Sequence, residues 1–246
     1  MTTPNRREAL GSMLTLAGFA VLSGCASGGK KTTGAPPVLP PDEGLADGGM
    51  PNGNRGQELL DQWNRRKAGG TVASTPSGVM PRSQWTRQGP IVRLSNPMGR
   101  VTRITIHHDG MNAFTSTQAG DAAGRLESIR KAHTGQGWAD IGYHFAIDPA
   151  GRVWEGRPLS LQGAHVKDNN EQNLGILVLG NHNDTRPTSA AIATLGGFVS
   201  SQMRRFGVPV QRVYTHQELK ATECPGVHLQ RQMLDLRSSR GVLARA

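Results

Sequence analysis

RVTRITIHH, residues 100–108, sets Val101, Ile104 and Ile106 among polar side chains and ends on two histidines. Alternation near a period of two predicts a strand feeding a loop. NLGILVLGN, 173–181, is a near-continuous apolar run and predicts a strand covered on both faces. Between them, STQAGDAAGRLESIRKAH (116–133) spaces Leu126, Ile129, its neighbour Arg130 and His133 at i+3 and i+4, which predicts a helix of about four turns. TSAAIATLGGFVSSQMRRFG (188–207) predicts a second helix, with Thr188 or Ser189 as its cap and Gly207 at its end. YHFAIDPAGRVWEGR (143–157) predicts a hairpin turning at Asp148-Pro149-Ala150-Gly151. VQRVYTH (210–216) predicts a short strand, and VHLQRQMLDLRSSR (227–240) a closing helix. Strands interleaved with helices imply an α/β fold: a mixed central β-sheet with helices packed on its faces.

The first 25 residues belong to a different kind of segment. MTTPNRREALGSMLTLAGFAVLSGC has a basic start at Arg6 and Arg7, an apolar stretch from Ala9 to Leu22, then small residues and a cysteine. The stretch is too short and too broken by Gly and Ser for a membrane span, and matches a secretory signal. Leu22-Ser23-Gly24-Cys25 resembles the lipobox of bacterial lipoproteins. That resemblance implies a signal peptide over 1–24 and a diacylglycerol on Cys25. The competing reading is an ordinary cleaved signal with an incidental cysteine. Arg6-Arg7 also resembles a twin-arginine export signal, although Ala9 stands where that pattern has a large apolar residue.

Residues 25–75 form the expected linker. With 32 glycines and 15 prolines in 246 residues, the chain concentrates both here and has almost no large apolar side chain before QELLDQWNRRKAG. Such a stretch buries too little surface to offset its chain entropy. Leu59, Leu60 and Trp63 allow one short helix within it. The folded domain is expected over 76–246. A lipid, an arm and a folded head suit a protein that works on a fixed polymer.

The formal net charge is +10, from 28 Lys and Arg against 18 Asp and Glu. The basic residues are scattered and aromatics are 4%, so neither a basic stripe nor a stacking platform for nucleic acid is present. The charge fits attraction to an anionic envelope polymer.

The chain has two cysteines. If Cys25 carries lipid, Cys224 has no disulfide partner within the chain. A lone thiol in an exported protein is exposed to oxidation unless something, such as a metal, occupies it. His107 and His216 each end an expected strand, and Cys224 follows eight residues after His216, with Pro225 and Gly226 fixing its backbone. Two imidazoles and a thiolate make a three-ligand zinc site whose fourth position is left to water. On spacing alone, a structural or solvent-facing role for either histidine stands beside this.

Several motifs in order, ITIHH, GWADIGYHFAID, VWEGR, GAHV, NLGILVLGN and THQELKATECPG, resemble those of the zinc-dependent N-acetylmuramoyl-L-alanine amidases. That superfamily includes phage amidase-type lysozymes and peptidoglycan recognition proteins. The similarity covers about residues 78–235, and VMPRSQW resembles the segment preceding the domain in recognition proteins. The resemblance implies His107, His216 and Cys224 as zinc ligands. It implies cleavage of the amide between the lactyl group of muramic acid and L-alanine of the stem peptide. It places Tyr143 beside the metal as a donor to the oxyanion or to the attacking water. Thr222 stands where phage enzymes carry lysine and catalytic recognition proteins carry threonine; being neutral, it supplies a hydrogen bond and no charge. His133 and His165 are expected to line the substrate groove, with packed structural imidazoles as the alternative.

Glu155 and Glu223 are the nearby carboxylates, and neither matches a family catalytic position, so Tyr143 is left to relay the proton. His108 is expected either to orient His107 or to face solvent. Asn170 and Asn173 are expected to hydrogen-bond their loop. His144, His182 and His228 are expected not to be ligands, the last two in surface-like contexts.

The functional expectation is an envelope-anchored amidase that remodels or recycles peptidoglycan. It would be a monomer on the outer membrane facing the periplasm, since Ala26 lacks the aspartate of inner-membrane retention. The alternative is a muropeptide-binding lipoprotein that does not cut. The lipobox argues against a third reading, a lytic endolysin.

Overall fold

The computed structural model describes residues 78–246. The expected signal segment 1–24, Cys25, the linker to residue 75 and its short helix lie outside the described residues.

Six strands form one sheet: β1 (Val79–Met80), β2 (Arg103–His108), β3 (Phe145–Ile147), β4 (Val153–Glu155), β5 (Asn173–Val178) and β6 (Val213–Thr215). Their order is β1-β4-β3-β5-β2-β6. β3 and β4 pair antiparallel, and every other neighbouring pair in this sheet is parallel. The antiparallel pair is the hairpin expected at Asp148. That carboxylate accepts the backbone N–H of Ala150 at 2.9 Å and of Arg152 at 3.0 Å, and the Trp154 indole N–H at 2.9 Å. Side-chain bonds of this kind close a turn without help from the sheet.

Three helices cover the sheet: α1 (Ala119–Gly135), α2 (Ser189–Phe206) and α3 (Val227–Arg237). α1 buries Ala122, Leu126, Ile129 and His133, one stripe at helical spacing. Leu126 and Ile129 pack with Ala146, Trp154 and Leu177 on one face of the sheet. α2 and α3 pack Leu195, Val199, Met203, Leu229 and Met233 against Ile104, Ile106, Ile176 and Val178 on the other. Truncating one of these fully buried aliphatic chains to alanine costs about 2–5 kcal/mol. α2 starts where Thr188 Oγ1 accepts the Ala191 N–H at 3.1 Å and stops at Gly207, whose φ of 67° is left-handed.

Two details depart from the pattern. In β2 the polar positions Thr105 and His107 are as buried as the isoleucines between them. They are tolerated because each is hydrogen-bonded, Thr105 to Asn173 Oδ1 at 2.9 Å and His107 to His165 at 3.0 Å. VQRVYTH is a strand only over its middle. Pro209 C=O takes the Arg212 N–H at 2.9 Å and closes a turn before β6, and His216 opens another turn after it. No helix among the described residues is long and apolar enough to cross a membrane.

Candidate metal centre

β2 and β6 are parallel neighbours, with Ile106 opposite Thr215. The next residue in each segment, His107 and His216, therefore sits beside the other at the carboxyl end of the sheet, with ring centroids 4.7 Å apart. This is where open α/β sheets place their ligands. His216 is the first residue of a short turn, His216–Glu218. Glu218 fixes that turn by accepting the Thr215 N–H at 2.8 Å, while Arg237 of α3 grips its carboxylate at 2.6 and 2.7 Å. Burial pushes the Glu218 pKa up, but the bonds from Arg237, the Thr215 N–H and Gln230 outweigh it and hold the group near 2.

The following loop returns Cys224 to the two histidines. Gln217 N–H donates to Cys224 C=O at 2.8 Å, and Cys224 N–H donates to Thr222 Oγ1 at 3.3 Å. The Cys224–Pro225 peptide is cis. Gly226 has φ of 86°, and a Cβ there would lie 2.4 Å from the His182 carbonyl carbon, so the loop exit requires glycine. Cys224 Sγ accepts the His108 backbone N–H at 3.4 Å and lies 3.6 Å from His107 Nδ1.

The donor atoms of His107, His216 and Cys224 all lie within 4.8 Å of one another. The set fits zinc. A tetrahedral ion bonded to nitrogen at ~2.05 Å and sulfur at ~2.3 Å sets those two atoms about 3.6 Å apart, the separation of His107 Nδ1 and Cys224 Sγ. Burial, then the neighbouring His216, His165 and His108, holds the His107 pKa well below its ordinary value. Burial lowers that of His216 to about 4. Both imidazoles are thus neutral at pH 7 and keep the lone pairs a metal needs.

Tyr143 stands beside this cluster, half-buried, its ring centroid 5.1 Å from that of His107. Thr222 is exposed, and its hydroxyl holds the Cys224 N–H. The two histidines expected along a groove are both buried. His133 is 3% exposed, lies against the Trp138 ring, and accepts the Gly142 N–H on Nδ1 at 3.0 Å. His165 is also 3% exposed and has both ring nitrogens engaged, Nδ1 with His107 at 3.0 Å and Nε2 with Asn173 C=O at 3.1 Å. Packing against sheet and helix, which neither motif displays, puts them there.

Other histidines also differ from expectation. His108 neither orients His107 nor meets solvent: its ring is buried and its Nδ1 accepts the His182 N–H at 3.1 Å. His182 is buried, not surface-like. His144, expected not to be a ligand, stands apart from the three donors, buried between the Gly175 N–H and the Leu161 C=O, 3.0 Å from each. Glu155 accepts the Arg82 N–H and Glu223 the Asn183 side chain, so both carboxylates have partners away from the three donors.

One supporting residue gives no signal as a lone letter. Asp109, directly after His108, is buried and takes two bonds from Arg125 together with the N–H groups of Met111 and Gly180. It ties the end of β2 to the end of β5. The signal available is its place, since a charged residue directly following an apolar strand needs partners. Asn170 holds the loop before β5, as expected, through the N–H groups of His165 and Val166.

Fold and site define an α/β protein with two histidines and a cysteine of metal-ligand type at the carboxyl end of a mixed sheet. Residues 97–227, more than half of the chain, match the N-acetylmuramoyl-L-alanine amidase family (Amidase_2), and the chain belongs to it. It is 33% identical over 153 residues to peptidoglycan-recognition protein SC2 of Drosophila melanogaster, covering 61% of this chain and 82% of that protein. It is 32% identical over 154 residues to N-acetylmuramoyl-L-alanine amidase of Homo sapiens, covering 60% of this chain and 26% of that much longer protein. Among solved structures it resembles peptidoglycan recognition protein-LE in complex with tracheal cytotoxin, a monomeric diaminopimelic acid-type peptidoglycan. That match has a TM-score of 0.57 and 25% identity, and covers 63% of this chain and 93% of the other.

Proposed function

We propose that the chain is a zinc-dependent N-acetylmuramoyl-L-alanine amidase. Its substrate is the amide between the lactyl group of N-acetylmuramic acid and L-alanine of a peptidoglycan stem peptide. The observation that carries this reading is the meeting of His107, His216 and Cys224, three donors from separate segments, within 4.8 Å. The muropeptide bound by peptidoglycan recognition protein-LE supports the substrate class.

Zinc held there supplies Lewis-acid polarisation of the scissile carbonyl and an acidified water. The remaining work belongs to the chain. His107 and His216 stay neutral because burial disfavours their protonated forms. The His108 N–H and the Thr222 hydroxyl hold the sulfur and the backbone of Cys224 in place. The Tyr143 phenol, beside His107, donates to the oxygen that gains charge as the carbonyl becomes tetrahedral. It also relays the proton that the leaving alanine nitrogen requires.

Relatives named for recognition favour a second reading, a muropeptide-binding protein that does not cut. Purified peptidoglycan incubated with the chain separates the two. The amidase reading expects free stem peptide beginning at L-alanine by mass spectrometry, lost on chelation and restored by zinc. Bound but intact peptidoglycan would overturn it.

We also propose that Cys25 carries a diacylglycerol and that residues 25–75 tether the head to the envelope, on the periplasmic face of an outer membrane. Cys25→Ala is expected to move the protein from the membrane fraction to the soluble one; unchanged partitioning would sink the anchor.

A further inference from the structure

We propose that His165 is a positioning residue that fixes the tautomer and orientation of His107, so that His107 Nδ1 is presented to the metal. The inference rests on the zinc reading for its consequence, but its geometry stands apart from it. His165 Nε2 lies 3.1 Å from the Asn173 carbonyl oxygen. A carbonyl only accepts, so Nε2 carries the hydrogen and Nδ1 the lone pair. That lone pair faces His107 Nε2 at 3.0 Å, so His107 donates there. A neutral imidazole has one hydrogen, and His107 Nδ1 is left as a bare donor, 3.6 Å from Cys224 Sγ. The relay runs from the backbone of β5 through two rings to the metal position.

The fold builds a socket for this ring. A Cβ on Gly163 or on Gly175 would lie 2.5 Å from His165 Cδ2, closer than real atoms approach. Glycine at both positions therefore leaves the space the imidazole fills. Asn170 Oδ1 fixes the backbone of His165 at 2.7 Å, and Thr105 Oγ1 fixes the Asn173 side chain at 2.9 Å. Residues that hold the far nitrogen of a ligating histidine typically change metal affinity about 10–100-fold when removed.

Two measurements on the purified chain test this. Nitrogen chemical shifts of the metal-free protein are expected to show His107 protonated on Nε2, and a mixture of tautomers in His165→Leu. Chelator competition is expected to show zinc affinity weakened about 10–100-fold in His165→Leu and in Gly175→Ala, but within about threefold of wild type in His165→Asn, whose Oδ1 replaces the Nδ1 acceptor. If His165→Leu does not fold, His165→Ala against His165→Asn carries the same contrast. A wild-type His107 protonated on Nδ1, or wild-type zinc affinity in His165→Leu or His165→Ala, overturns the proposal. A wild-type chain that shows the expected tautomer but takes up no zinc overturns the metal reading and the consequence drawn for affinity, while the relay stands.

Discussion

Cys224 Sγ lies 3.6 Å from His107 Nδ1, across 117 residues of sequence. A thiol and an imidazole hydrogen-bond at that distance, and a zinc ion bonded to both would set the same separation. Cys224→Ser replaces a soft ligand with a hard, weakly acidic one. Zinc bound per chain is expected to fall well below one, and amide hydrolysis to drop at least about 100-fold, when zinc content and stem-peptide release are measured together. Full activity with zinc absent would show that the sulfur has another purpose.

Tyr143→Phe removes one hydroxyl and leaves a ring that still packs beside His107. Loss of an oxyanion donor costs roughly 100–1,000-fold in kcat. The expected outcome is that decrease with unchanged zinc stoichiometry. A variant that loses its zinc would give the tyrosine a structural part instead.

Acid should unfold the metal-free protein through its buried histidines. Burial, with Arg157 adding to it, lowers the His133 pKa to about 3. Burial lowers His144 to about 4, outweighing its bond to Leu161 C=O. Unfolded histidines titrate near 6.5, so below that pH the unfolded chain binds more protons than the folded one. Stability is therefore complete above about pH 6.5 and falls as pH drops toward 4. Glu218, held near 2, adds a further loss between about 4.3 and 2. Thermal melts from pH 7.5 to 4.5 in chelator should show a falling midpoint. A flat profile would contradict the burial of these rings.

Gly226→Ala tests the loop that delivers the sulfur. Its φ of 86° disfavours a side chain, and its Cβ would meet the His182 backbone. The expected cost is more than about 1 kcal/mol, with weaker zinc binding because Cys224 is displaced. Denaturant melts and chelator competition check both, and unchanged values in each would mean the loop yields without moving Cys224.

Much of the fold is legible in the sequence because local periods and caps carry it. The stripe of Leu126 and Ile129, the Thr188 cap, Gly207 and the Asp148 turn each act within a few residues. The three donors are legible from the resemblance of their motifs to the amidase family, while strand ends and spacing alone leave other roles for the histidines open. The surroundings of His133, His165 and His182 are not legible, because burial depends on what packs over a ring. For His165 the decisive residues are Gly163 and Gly175, whose meaning lies in an absent Cβ that appears only once β5 is laid beside the loop.

The most direct test is a crystal of the zinc-loaded chain measured at the zinc absorption edge. One anomalous peak is expected, about 2.0–2.1 Å from a nitrogen of each of His107 and His216 and about 2.3 Å from Cys224 Sγ. A peak bonded to other residues, or none at these three with zinc in excess, would contradict the account.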